Sequence, residues 1–223
     1  MKERSKSYHH GDLREALLEA IRGLVERDGP DGFKIAEACR IAGVSTAAPY
    51  KHFSNRDEML RGVALRGMDR LRDVTQTAIE KYPAQDPRRA VALGKAYVDF
   101  ARREPGVFRM MFGLAEGHGT DDALRCASDG TKAMVEQVVS EHTGADPDSD
   151  EVRLRAYALH CFVHGHSFLT LDGKVEPHAP EVEDQLLALI GDRMLPAWEG
   201  EGRSSPEAKE SPPSHEATTS DGR

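Results

Sequence analysis

Apolar residues recur at helical spacing along nearly the whole chain, and strand alternation is sustained nowhere, which confines the chain to an all-α fold. Leu13, Leu17, Ala20, Ile21, Leu24 and Val25 form one stripe. Asp28-Gly29-Pro30-Asp31-Gly32 stops it, because glycine accepts a left-handed end and proline cannot continue a helix. A short helix fits Ile35 to Ala42. Gly43-Val44-Ser45 is a tight turn, and Ser45 is placed to cap a helix running to about Phe53. Ser54-Asn55-Arg56-Asp57 reads as a capping box for a long helix that reaches about Lys81.

The second half uses the same grammar. Asp86-Pro87 is a cap followed by proline at the first helical position, opening a helix with Val91, Ala92, Ala96, Tyr97 and Phe100 that stops before Pro105. A short aromatic and methionine segment, Val107-Phe108-Arg109-Met110-Met111-Phe112, follows. Asp121 or Asp122 starts a helix ending near Gly144. Ser149 or Asp150 starts the next, which runs to Asp172-Gly173, and the last extends from about Pro180 to Trp198.

A chain of 223 residues suffices for one large domain or two small ones, and its 39% apolar content can supply a core. The net charge of −8 excludes a polybasic coat but not a local basic surface. Residues 1–62 hold 11 Lys/Arg and 10 Asp/Glu, net +1, so the remainder carries −9. Cys39, Cys126 and Cys161 are odd in number and lie far apart, which argues against a disulfide framework or structural zinc module. The longest strictly apolar run is Leu186 to Ile190, far below a membrane span of roughly 20 residues. No apolar signal core follows the basic start Met1 to Lys6, so the expected location is the cytoplasm, with no membrane partner. Residues 199–223 lack Leu, Ile, Val, Phe, Met, Trp, Tyr and Cys and read as a disordered acidic tail.

Three short helices with a glycine turn between the second and third outline a helix-turn-helix. Thr46, Ala47 and Ala48 are small enough to let a helix sink into a groove about 12 Å wide. Pro49 stiffens its first turns. Tyr50, Lys51 and His52 offer a phenol, an ammonium and an imidazole to phosphate oxygens, and Phe53 is the core plug. Arg56 sits in the first turn of the next helix, where free N–H groups already favour an anion. Lys2, Arg4, Lys6, Lys51 and Arg56 place the bases around this head.

Phe33-Lys34-Ile35, Ile41-Ala42-Gly43-Val44-Ser45, Ala48-Pro49-Tyr50-Lys51-His52-Phe53 and Arg56-Asp57-Glu58-Met59-Leu60 resemble the DNA-binding domain of the tetracycline-repressor-like (TetR) regulators. Tyr8 to Arg14 is similar to the lead-in of one branch. The resemblance implies a dimeric one-component transcription factor, usually a repressor, that binds a double-stranded operator and holds an inducer in its C-terminal helical domain. It makes Tyr50 and His52 phosphate contacts and puts Arg56 where the family favours lysine. Lys34 replaces a capping Ser or Thr and adds a possible phosphate contact, whereas Ala36 replaces an Arg and removes one. The domains implied are a helix-turn-helix head over 1–62, a ligand-binding and dimerisation domain over 63–198, and the tail. The expected DNA-facing set is Lys34, Ser45, Thr46, Ala47, Ala48, Pro49, Tyr50, Lys51, His52 and Arg56.

Residues 96–113 resemble the start of the C-terminal domain of one branch of these regulators. Val163-His164-Gly165 with Leu171-Asp172-Gly173 is similar to that branch's Trp-His-Gly signature, with His160 standing in place of the tryptophan. Tyr97, Phe100, Phe108, Met111, Phe112, Phe162 and Phe168 are deformable apolar groups that suit the walls of a pocket for an apolar effector, with His160 and His164 beside them. The same residues also suit a plain core. His160 and His164 lie four apart on one helix face, whereas His166 is turned roughly 200° away, so the three cannot share an ion. No HExxH, paired base or phosphate loop is present. The expectation is a regulator without enzymatic activity, resident cofactor or metal; a metal-dependent helical enzyme or metal sensor using His160 and His164 is the alternative. Leu154 to Leu171 carries apolar residues on more than one face, and Val182, Leu186, Leu187, Leu189, Ile190 and Leu195 supply a partner stripe, as a four-helix homodimer interface requires.

Overall fold

The computed structural model describes residues 10–113, 122–175 and 180–195. These residues form eight α-helices and one short 3₁₀ turn, with no strand among them. The helices are α1 (His10–Gly32), α2 (Ile35–Ala42), α3 (Arg56–Ile79), α4 (Arg88–Arg103), α5 (Pro105–Gly113), α6 (Asp122–Thr143), α7 (Asp150–Leu171) and α8 (Pro180–Met194). The expected basic arm, the tail and the last residues of the terminal helix lie outside the described residues.

Most helix ends fall where the sequence places them. α1 breaks at Gly29, whose φ is 76°, and Pro30 opens one last turn. Gly43 closes α2 with φ 69°, a conformation that would strain any residue with a Cβ, while Val44 N–H donates to Cys39 O at 2.9 Å. Ser149 caps α7 by accepting from Val152 N–H. Two ends differ. The cap of α3 is Asn55 rather than Ser54: its side chain accepts from Glu58 N–H at 2.8 Å, and Glu58 Oε2 reaches back to Ser54 N–H at 2.6 Å. The box is thus shifted by one residue, with Glu58 supplying the return bond. At α4, Pro87 precedes the first helical residue, and Asp86 Oδ1 accepts from Arg88 N–H at 2.9 Å.

One continuous core runs from Leu17, Ile21 and Leu24 of α1 through Phe53, Met59 and Val63 to Val107, Phe108 and Met111 of α5. It crosses residue 62, the expected domain boundary, inside α3 and without interruption. A second cluster gathers Ile79, Leu93, Val138, Val139, Val152 and Leu195 at the far end of α3. α1 and α5 approach closely because Gly106 has no side chain: a Cβ there would lie 2.7 Å from Val25 O. At this contact Glu26 of α1 accepts from Gly106 N–H and Val107 N–H, both at 2.9 Å, so a carboxylate from α1 caps the free N-terminal donors of α5. Arg70 of α3 adds a two-pronged pair to Glu104, just ahead of α5.

Candidate functional site

The segment after Gly43 is built differently from the expected serine-capped α-helix. Only Pro49–Lys51 is helical, as a single 3₁₀ turn. Ala48 N–H donates to Ser45 O, and Lys51 N–H donates to Ala48 O. The physical reason is Pro49, which has no N–H to give Ser45 O and whose ring collides with the carbonyl four residues back. The expected helix, capped by Ser45 and running to about Phe53, is therefore corrected to two successive tight turns.

The packing of this segment has an inside and an outside. Pro49 is buried and Phe53 is 2% exposed, so these two rings pin it to the core. Ser45, Thr46, Ala47 and Lys51 face out, Ala48 and His52 are half-buried, and Tyr50 is 57% exposed although it is aromatic. Lys34 is exposed at the start of α2, where its side chain makes no capping bond. Arg56 is half-buried. Its guanidinium lies 4.5 Å from the Phe33 ring centre and donates to Pro30 O and Asp31 O at 2.5 and 3.0 Å. It thereby ties the start of α3 to the end of α1, a role the sequence did not indicate. Ile41 is 51% exposed on α2, an apolar group close to the same turn.

The second feature is a hollow of about 280 Å³ between α3, α4, α5, α6 and α7. Of the nine expected pocket residues, Tyr97, Phe112 and His160 line it. Phe162 lines a narrower crevice of about 40 Å³ that shares Tyr97, Thr131, Val135 and His160 with the main hollow and reaches towards Leu187 and Ile190 of α8. Phe100, Phe108, Met111, His164 and Phe168 line neither; Phe100, Phe108 and Met111 are fully buried. Sequence reasoning missed Met68, Leu71, Ser128, Thr131, Lys132, Val135, Ala156 and Tyr157. Ser128, Thr131, Lys132 and Val135 share a helix face by their spacing, and that was the available signal.

Behind the hollow the rings form a tight group. Phe108, Phe112 and Phe168 surround His164 at centroid distances of 4.5 to 5.9 Å. The Tyr97 hydroxyl lies 2.8 Å from His164 Nδ1. Burial pushes the Tyr97 phenol far up, so it stays protonated. Burial lowers both His160 and His164, and the neighbouring His160 lowers His164 further. His166 turns elsewhere, with Nε2 3.2 Å from the buried carboxylate of Glu183. Among the described residues, no three His, Cys, Asp or Glu side chains gather as for a metal ion, and no helix is long and apolar enough to cross a membrane.

α7 and α8 leave apolar groups uncovered: Leu154, Tyr157 and Leu169 on one, Val182 and Leu189 on the other, all at least 45% exposed. Leu154, Tyr157, Cys161 and Leu169 recur at spacings of three, four and eight, which is a single stripe.

Comparison with known proteins gives these features relatives. The model of the tetracyclin repressor-like C-terminal domain matches residues 90–194. The nucleoid occlusion factor SlmA of Idiomarina loihiensis is 30% identical over 115 residues, which cover 50% of this chain and 56% of that protein. The chain thus spans little more than half the length of this curated relative. Among solved structures, a protein with unknown function from Rhodococcus sp. RHA1 is 28% identical with a TM-score of 0.72, covering 86% of this chain and 97% of its own. A TetR-family transcriptional regulator from Streptomyces coelicolor reaches a TM-score of 0.66 at 18% identity, covering 83% and 80%, a likeness of fold. Residues 90–194 thus match the tetracyclin repressor-like C-terminal domain, and the head and this half, joined through one core, share the fold of TetR-family transcriptional regulators.

Proposed function

We propose that the chain is a homodimeric, cytoplasmic one-component regulator, a repressor that binds a palindromic operator and is released when a small apolar effector fills the hollow. The observation that carries this reading is the turn at Ser45–Lys51: small residues, a phenol and an ammonium stand outward while Pro49 and Phe53 fix their base. Small residues permit close approach to base edges; Tyr50, Lys51 and His52 flank them for the phosphates, with Lys34 at the start of α2. The uncovered stripes of α7 and α8 support a second copy, because two heads about 34–36 Å apart read two half-sites one helical turn apart.

The release step follows from shared elements. Met68 and Leu71 of α3 and Phe112 of α5 border the hollow. The same α3 begins beside the turn, and the same α5 is hooked to α1 by Glu26. An effector that prefers one arrangement of α3 and α5 therefore shifts the head, by no more than its difference in affinity for the two arrangements.

The test is fluorescence anisotropy of labelled duplexes covering the DNA upstream of the gene and its neighbours, at several salt concentrations. Tight binding to a duplex that holds a palindrome is expected, with affinity falling steeply as salt rises because bound phosphates release counterions. A dimer indifferent to every duplex, or affinity that is flat with salt, removes the reading.

A further inference from the structure

We propose that the hollow takes an uncharged, largely apolar molecule with one oxygen function, a hydroxyl or carbonyl, which Thr131 and His160 recognise; this rests on the reading of the hollow as the effector site.

Thr131 is the primary observation. Among the described residues, four serine or threonine hydroxyls are buried: Thr75, Thr131, Thr143 and Ser167. Three of them bond back to a carbonyl one helical turn earlier, Thr75 to Leu71 O, Thr143 to Val139 O and Ser167 to Val163 O. Thr131 is only 8% exposed, yet its Oγ1 has no partner among the described residues and it borders both the main hollow and the crevice. A buried hydroxyl without a partner is costly, so a ligand that supplies one gains what the fold leaves unsatisfied.

His160 also borders both spaces, and no hydrogen bond to its ring nitrogens occurs among the described residues. Burial keeps it neutral, so it offers one donor and one acceptor. The Tyr97 hydroxyl is engaged by His164 and stands aside. The rest of the lining sets the charge of the guest. Met68, Leu71, Phe112, Val135 and Ala156 are apolar, and no carboxylate lines the hollow, so an organic cation finds no counter-charge. Its basic group, Lys132, has a side chain 60% exposed and pairs with Glu136 at 3.6 Å, so an anion gains little from it. The 280 Å³ volume is at the small end for ligand sites and fits a molecule of roughly two fused rings or fewer.

Titration of the full-length protein with 1-naphthol, naphthalene and 1-naphthylmethylammonium tests this directly. Naphthol is expected to bind about fivefold to tenfold more tightly than naphthalene, the worth of one net hydrogen bond. The cation is expected to bind more weakly than both. Thr131→Val should bring naphthol down to the naphthalene level without changing naphthalene itself, and Thr131→Ser should restore the preference; matched melting curves control for folding. Equal affinities for naphthol and naphthalene, a preference for the cation, a preference that survives Thr131→Val, or no binding of any probe overturns the inference. Repeating the titration on the DNA complex separates the two readings. A naphthol preference without DNA release upholds the cavity chemistry and removes the effector role. Intact operator binding with no naphthol preference overturns the cavity chemistry alone.

Discussion

α3 passes through two opposite kinds of packing. In its first half Met59, Leu60, Val63 and Ala64 are buried against α1 and the Phe53 ring, with what is polar facing out. One turn further on, Met68 and Leu71 border a hollow of about 280 Å³ walled by five helices. The head is solid, so it moves only as a body. The receiving half has room for a guest, and under the proposed function that room is what lets its helices shift. A regulator needs both: a surface whose shape does not adapt, and a chamber whose contents decide where that surface sits.

The comparison breaks most visibly at Phe53. Phe53→Ala is expected to cost about 3–5 kcal/mol of stability and to abolish DNA binding, read by urea denaturation and anisotropy. A small loss would show that the head is not the solid half. Gly106→Val is next. Its side chain would meet Val25 O and the Glu26 backbone, which cannot yield as a side chain can, so a loss of about 1–3 kcal/mol is expected. Glu26→Gln leaves the space unchanged but weakens the charged cap, and it should loosen the link between effector and DNA binding more than it lowers the melting temperature.

Tyr50→Ala and Lys51→Ala sharpen the comparison from the surface. Both side chains are exposed, so stability should move by less than about 0.5 kcal/mol while operator affinity falls. Lys51→Ala should also reduce the slope of log affinity against log salt by about one. Unchanged operator affinity in both variants would remove the assigned contacts. The smallest effect is on pH. Burial holds His160 and His164 below the ordinary histidine value of about 6.5, so the unfolded chain takes up those protons first. Their contribution to stability is complete above about pH 6.5 and is lost as the pH falls through the lowered values. Melting curves across that range should show a drop that His160→Gln reduces.

The head was legible because its chemistry is local. Gly43, Pro49 and Phe53 declare a turn, a stiff point and a plug within a dozen residues; the sequence missed the cap at Asn55 and the grip of Arg56, and it mistook the kind of turn. Even that error was readable, since a proline four residues after Ser45 forbids the expected hydrogen bond. The hollow was not legible in the same way. Its walls come from five helices, and large apolar residues look alike whether they fill space or border it. Phe108 and Met111 were chosen for their size and turned out to be solid core. Thr131 was passed over because a lone threonine inside a helix carries no signal until its missing partner is seen.

The grip of Arg56 on the carbonyls of Pro30 and Asp31 and on the Phe33 ring has a mechanical consequence. It fastens the α1–α2 corner to the root of α3, so the turn must follow wherever that root goes. Leu71 lies roughly 22 Å along the axis from Arg56 at 1.5 Å per residue. A tilt of about 5° pivoting at Leu71 therefore carries the root about 2 Å sideways, by the geometry of a rigid rod of that length. In the proposed pair of heads facing one duplex the two excursions would add, so a guest that nudged one helix by a few degrees would act as a lever on the gap between two reading points.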